Sequence, residues 1–176
     1  MLIERLAPGL EDRVGRAEVM NMGRLIDRTF IESPPRLLDG AADVLRELVG
    51  RGLKIGLISN TGLTSPATYN EWFAQLGILD SFDFLAFSNA QQVAKPAPAI
   101  FETTLAEINV IASRGLHIGD NLHTDVGGAA AVGMSTVWVR GGISSAVATD
   151  VEPNFSIDSI LELPGVIDDW LYSLDD

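Results

Sequence analysis

The sequence predicts an α/β protein, a parallel sheet with helices on both faces. Three observations predict it. From about residue 38 onward, short apolar runs alternate with longer stretches whose apolar residues recur at helical spacing. The short runs are rich in Leu, Ile and Val without polar alternation, as strands covered on both faces are. Each run ends in a polar or glycine-containing loop that leads into the next helix, which is the order of strand–helix–strand units. The chain has 176 residues. That is one domain, or one with a small appendage, and is large enough to bury a core without staples.

Two segments are expected, a helical one over 1–35 and an α/β body over 36–176. In the first, Leu25, Ile26, Phe30 and Ile31 share one helix face, and Pro34-Pro35 ends the helix. In the body, Ala41 to Val49 is predicted helical, with Val44, Leu45 and Leu48 on one side and Gly50 and Gly52 as the stop. Leu53 to Ile58 is a buried strand that ends in Ser59-Asn60-Thr61-Gly62. Ser65-Pro66 opens a helix through Trp72, Phe73 and Leu76 that closes at Gly77. Phe82 to Phe87 is a strand, and Pro98 to Ile108 a helix with Ile100, Phe101, Leu105 and Ile108 inward. Gly115 to Ile118 is a strand and Asp125 to Val132 a helix of small residues ended by Gly133. Ser135 to Val139 and Phe155 to Ile157 are strands, before a terminal helix near Leu161–Leu171.

Composition excludes several functions. There are 12 Lys and Arg against 24 Asp and Glu, a net charge of −12. Such a surface disfavours a nucleic-acid backbone and an anionic membrane as partners. No cysteine is present, so thiolate zinc sites, disulfides and cysteine nucleophiles are excluded. No apolar run approaches the ~20 residues of a membrane span, and the N-terminus has no secretory core. A soluble, cytoplasmic protein is expected.

In open parallel sheets, ligands sit at the carboxyl ends of the strands. Three polar clusters fall there. Ser59-Asn60 offers a hydroxyl, an amide and loop N–H groups to an anion, or simply forms a turn or cap. Lys95, between Ala94 and Pro96, is a cation held by prolines before a helix; the alternative is a solvated loop lysine. Gly119-Asp120 through Asp125 places two carboxylates at one strand end, which need a cation to neutralise them. Magnesium suits such a pair, with water and phosphate completing its shell. Thr124 or Asp125 as a helix cap is the simpler alternative. His117 lies inside a strand and reads as packed, whereas His123 lies in the loop and borders the site.

Taken in order, these clusters resemble the haloacid dehalogenase (HAD) superfamily of phosphatases and dehalogenases, over about residues 35–171. Ser59 resembles the family's phosphate-binding Ser/Thr, Lys95 its Lys-Pro motif, and Asp120 with Asp125 its acidic Gly-Asp-x-x-x-x-Asp. The resemblance implies a Rossmann-like parallel sheet flanked by helices, often with a helical cap. It implies a phosphomonoester site in which Ser59, Asn60 and Lys95 bind the phosphoryl group and Asp120 and Asp125 hold Mg2+. The substrate would be a small phosphorylated molecule or a phosphate-like anion. Family members carry an Asp-x-Asp nucleophile motif on their first strand, and this chain contains none; the nearest match is Asp150-Val151-Glu152. The expectation is therefore a HAD-like core missing its first strand, with a remnant helical cap at the N-terminus. No catalytic nucleophile is identified, and Lys95 acts electrostatically. Exposed sheet edges then favour a homo-oligomer, unless Met1 to Leu6 supplies a replacement strand. Two functions compete: a magnesium-dependent phosphatase-type hydrolase, and an inactive HAD-fold binding module or fragment completed by another chain.

Overall fold

The computed structural model describes residues 8–141 and 150–174. A replacement strand at Met1–Leu6 lies outside the described residues. Two helices come first, α1 (Leu10–Val14) and α2 (Arg16–Glu32), then α3 (Ala41–Gly50). Strands and helices then alternate: β1 (Gly56–Ser59), α4 (Pro66–Gln75), β2 (Phe84–Phe87), α5 (Ser88–Gln91) and α6 (Pro98–Glu107). They continue with β3 (Leu116–Gly119), a π-helical turn (Leu122–Gly127), α7 (Gly128–Ala131), β4 (Ser135–Val139), β5 (Phe155–Ile157) and α8 (Leu163–Ser173).

Local chemistry sets several of these bounds. Ser65 caps α4 by accepting from the Thr68 N–H, and Pro66 supplies the first-turn φ. After α4, Gly77 sits at φ 67°, a left-handed geometry that a side chain would strain. β1 begins later than the apolar run predicts. Leu53 and Ile55 pack on the core without ladder partners. Instead the Ile55 N–H donates to Asp83 Oδ2, and Lys54 Nζ lies 2.7 Å from Asp83 Oδ1.

Every strand pair is parallel, but the described strands form two sheets, β1–β2 and β3–β4–β5. α3 and α8 cover the β3–β5 sheet through Val44, Leu48, Leu163 and Ile167. Ile100 and Phe101 of α6 and Ala129 of α7 form a separate core against Ala86. Towards its end α2 meets the body: Asp27 Oδ1 accepts the Ser65 N–H, and Phe30 meets Tyr69 and Trp72 edge-on.

β1 and β3 are not paired with each other. Between them lies a cavity of about 470 Å³. Its walls are Gly56 and Ile58 of β1 and Leu116 and Ile118 of β3; Thr104 of α6 and Ile167 of α8 also line it.

Candidate active site

The carboxyl ends of β1 and β3 meet through one buried ion pair. Lys95 Nζ lies 2.5 Å from Asp125 Oδ1, and the two side chains are 13% and 5% exposed. The same ammonium donates to the Ile58 carbonyl at 2.8 Å. Two charges taken this far from water need each other, because either one alone would be an uncompensated buried charge.

Each partner is held in turn. The Asn60 side chain clamps the lysine's main chain in both directions: its Nδ2 donates to the Lys95 carbonyl at 2.9 Å and its Oδ1 accepts the Lys95 N–H at 2.8 Å. The amide that the sequence offers to an anion is thus engaged in positioning the cation. A second tie links the loop after β1 to the start of α5, with the Thr61 N–H donating to Ser88 Oγ. Ser59 closes β1 beside this clamp, half-buried.

Asp125 sits in the π-helical turn after β3, not in a regular first turn. Its Oδ2 accepts the Asn121 N–H at 3.0 Å, and its Oδ1 meets His117 Nε2 at 3.3 Å. The helix cap is Asn121, whose Oδ1 accepts from the His123 and Thr124 N–H groups; this corrects the expectation of Thr124 or Asp125 as cap. The turn comes close to β3 because residue 119 is glycine: a Cβ there would overlap Asp125 Cβ and Cγ.

The electrostatics follow. Burial alone would raise the Asp125 carboxyl, but the His117 hydrogen bond and the Lys95 charge outweigh it and hold it at about 2. Burial lowers the His117 imidazole, and the Lys95 charge adds to that. A neutral imidazole with its proton on Nε2 donates to Asp125, while the imidazole and Phe101 rings meet edge to face with centroids 5.1 Å apart. His117 is therefore packed, as its place in a strand predicts. Its contact with Asp125 was not predicted.

Asp120 is exposed one residue beyond β3, and its carbonyl accepts from Trp138 Nε1 at 3.1 Å. His123 is exposed. No group of three or more His, Cys, Asp or Glu that could hold a metal occurs among the described residues. Two carboxylates at one strand end fit magnesium in kind, since that ion keeps several waters and needs only one or two protein carboxylates.

Comparison with known proteins agrees with this architecture. The family described as haloacid dehalogenase-like hydrolase matches residues 3–133. A glyceraldehyde 3-phosphate phosphatase of Pyrococcus abyssi is 37% identical over 107 residues, 61% of this chain and 44% of that protein. A ribulose-1,5-bisphosphate 5-phosphatase of Halopiger xanaduensis is 30% identical over 138 residues, 74% of this chain and 56% of that protein. The chain thus spans about half the length of these relatives. Among solved structures, a HAD phosphatase from Thermococcus onnurineus superposes with a TM-score of 0.68 at 23% identity, covering 81% of this chain and 64% of that one. YfnB from Bacillus subtilis, solved bound to magnesium, gives 0.68 at 19% identity over 94% of this chain and 70% of that one. With its parallel strands, its flanking helices and a family match over residues 3–133, the chain belongs to the haloacid dehalogenase-like hydrolases.

Proposed function

We propose that this chain carries the phosphate- and magnesium-binding part of a phosphomonoester hydrolase site. The observation that carries the reading is the Lys95–Asp125 pair, a fixed cation and a fully ionised carboxylate at the carboxyl ends of β1 and β3. Relatives named as phosphatases of small sugar phosphates support a small phosphorylated substrate. In this reading Lys95 neutralises the phosphoryl oxygens. Ser59 adds its hydroxyl, and Asn60 acts by holding the Lys95 main chain at the site. Asp120 and Asp125 would hold Mg2+, which when bound screens the phosphoryl charge. Asp125 also keeps the Lys95 side chain in place, and His117 keeps the carboxylate oriented. Residues 1–35 form part of a helical cap in this reading, and 36–176 the catalytic body.

Turnover also needs a nucleophile, and the chain contains no Asp-x-Asp. Among the described residues the facing edges of β1 and β3 have no strand partner, which favours a second reading, a HAD-fold module completed by another chain.

The test is phosphate release from para-nitrophenyl phosphate with magnesium and with EDTA, beside Asp120→Asn, together with orthovanadate binding to the wild type and to Lys95→Ala. Magnesium-dependent turnover lost in Asp120→Asn supports a hydrolase. Vanadate binding without turnover supports the module awaiting its other part. Equal vanadate affinity in Lys95→Ala sinks the phosphoryl site.

A further inference from the structure

We propose that Trp138 is a positioning residue for Asp120: its indole N–H fixes the peptide unit that follows Asp120 and so aims that carboxylate at the metal. The inference rests on the magnesium site proposed above and adds to it a residue that touches neither metal nor phosphate.

Trp138 lies in β4 and pairs with Gly119, the last residue of β3. Its neighbours Val137 and Val139 pack into the core under α3 and α8. By strand alternation Trp138 therefore points to the other face. That is the face on which the π-helical turn brings Asp125 against Gly119. From there Nε1 reaches one residue past the end of the ladder and donates to the Asp120 carbonyl at 3.1 Å.

The other half of the same peptide unit is held as well. The Asn121 N–H donates to Asp125 Oδ2 at 3.0 Å. The Asp120–Asn121 peptide is thus pinned at its carbonyl by Trp138 and at its N–H by Asp125. A peptide unit is planar, so anchors on its two opposite edges fix its plane. On the other side of Asp120, Gly119 is still in the ladder. The main chain is set before and after Asp120, and with it the direction in which the side chain leaves the strand end. One of the two anchors is itself the second carboxylate of the proposed site. A single peptide plane therefore ties the aim of Asp120 to the position of Asp125.

This matters because magnesium demands near-octahedral geometry and gives up its waters reluctantly. Asp125 is held by burial and by three partners, whereas Asp120 is exposed. Its main chain must supply the precision that burial supplies to Asp125. An indole suits the task, since its N–H donates and cannot accept, and only two torsions place the ring. With that N–H gone, the peptide can tilt about its bond to Asp125, and the Asp120 carboxylate tilts with it.

The test measures binding of Mn2+, a paramagnetic stand-in for Mg2+, from the resonance of the free ion near neutral pH. Trp138→Phe keeps a ring and removes the donor. Trp138→His restores one, because imidazole Nε2 stands as many bonds from Cα as indole Nε1 does. A chain made with benzothienylalanine in place of tryptophan keeps the ring's shape and lacks only the N–H, so it reads the bond even where Trp138→Phe folds poorly. Losing the hydrogen-bond support of a metal ligand costs about ten- to a hundredfold in affinity. Mn2+ binding should therefore weaken at least about tenfold in Trp138→Phe and in the benzothienyl protein, and stay within about threefold of wild type in Trp138→His. Benzothienylalanine introduced into Trp138→Phe should weaken binding no further, which places the effect at residue 138. Wild-type affinity in the benzothienyl protein overturns the inference. Equal losses in Trp138→Phe and Trp138→His also overturn it, because the ring would then act by filling space. Asp120→Asn reads the site itself. If it binds Mn2+ as tightly as wild type, the magnesium reading fails and takes the inference with it. Loss in Asp120→Asn beside full affinity in Trp138→Phe refutes the inference alone.

Discussion

Gly119→Ala tests whether the tight approach of the π-helical turn to β3 is what holds the buried ion pair. The added Cβ would overlap Asp125 Cβ and Cγ and reach within 2.7 Å of its Oδ2. Asp125 cannot swing aside cheaply, since Lys95, His117 and the Asn121 N–H all hold it. Overpacking of this kind costs about 1–3 kcal/mol. Complete loss of a buried partner costs about 3–5 kcal/mol. The substitution displaces the pair without deleting it, so a loss of about 2–4 kcal/mol is expected. For a chain of this size that lowers Tm by roughly 6–12 °C. Urea denaturation and thermal melts measure it, with Gly62→Ala as control. Nothing lies within 4 Å of a Cβ at Gly62, so that variant should stay within about 0.5 kcal/mol of wild type. If Gly119→Ala loses less than ~1 kcal/mol, the close approach is not what positions Asp125.

Three further outcomes are expected. Lys95→Met should cost about 3 kcal/mol by stranding Asp125, and adding Asp125→Asn should recover at least ~1 kcal/mol in a double-mutant cycle; strict additivity would mean that the pair is not coupled. The Asp125 carboxyl, held at about 2 against an ordinary 3.8, contributes stability that is present above about pH 4 and lost as pH falls through 2. The His117 imidazole is lowered from 6.5, so its contribution is complete above that pH and lost below it. Stability measured against pH should therefore fall more steeply below pH 6.5 in wild type than in His117→Gln, and parallel curves would refute the neutral buried imidazole. Phe101→Ala, at a fully buried ring beneath His117, should lose about 3–5 kcal/mol in denaturant. A small loss there would mean that the neighbouring core collapses into the gap.

Much of the fold was legible because each element carries its own local signal. α4 opens where Ser65-Pro66 predicts and closes before the left-handed Gly77. The Ser135–Val139 and Phe155–Ile157 strands stand where the apolar runs place them. The misses have physical causes. The first strand is shorter than Leu53–Ile58 at its start because Leu53 and Ile55 are apolar for packing and not for pairing. The segment predicted as helix from Asp125 begins earlier, as a π-helical turn, because the Asn121 side chain captures two N–H groups. That signal was present in the sequence as an asparagine two residues before His123. At the site, Lys95 and Asp125 were each legible as polar residues after a strand, but their contact joins residues thirty positions apart and only the fold creates it. The Asn60 clamp was hidden for the same reason, since nothing local marks its partner as a lysine's main chain.

The break in the sheet also bears on how the protein opens. A continuous sheet transmits cooperativity through its hydrogen-bond ladder, so that its strands exchange their amides together. Among the described residues the ladder stops at β1 and resumes at β3. Among the described residues the two halves are joined by side chains, including the α6 core residues and the Lys95–Asp125 link across the gap. Native-state exchange of the chain alone should accordingly resolve two opening units, β1–β2 and β3–β5, with different free energies. Filling the gap with a strand would fuse them into one.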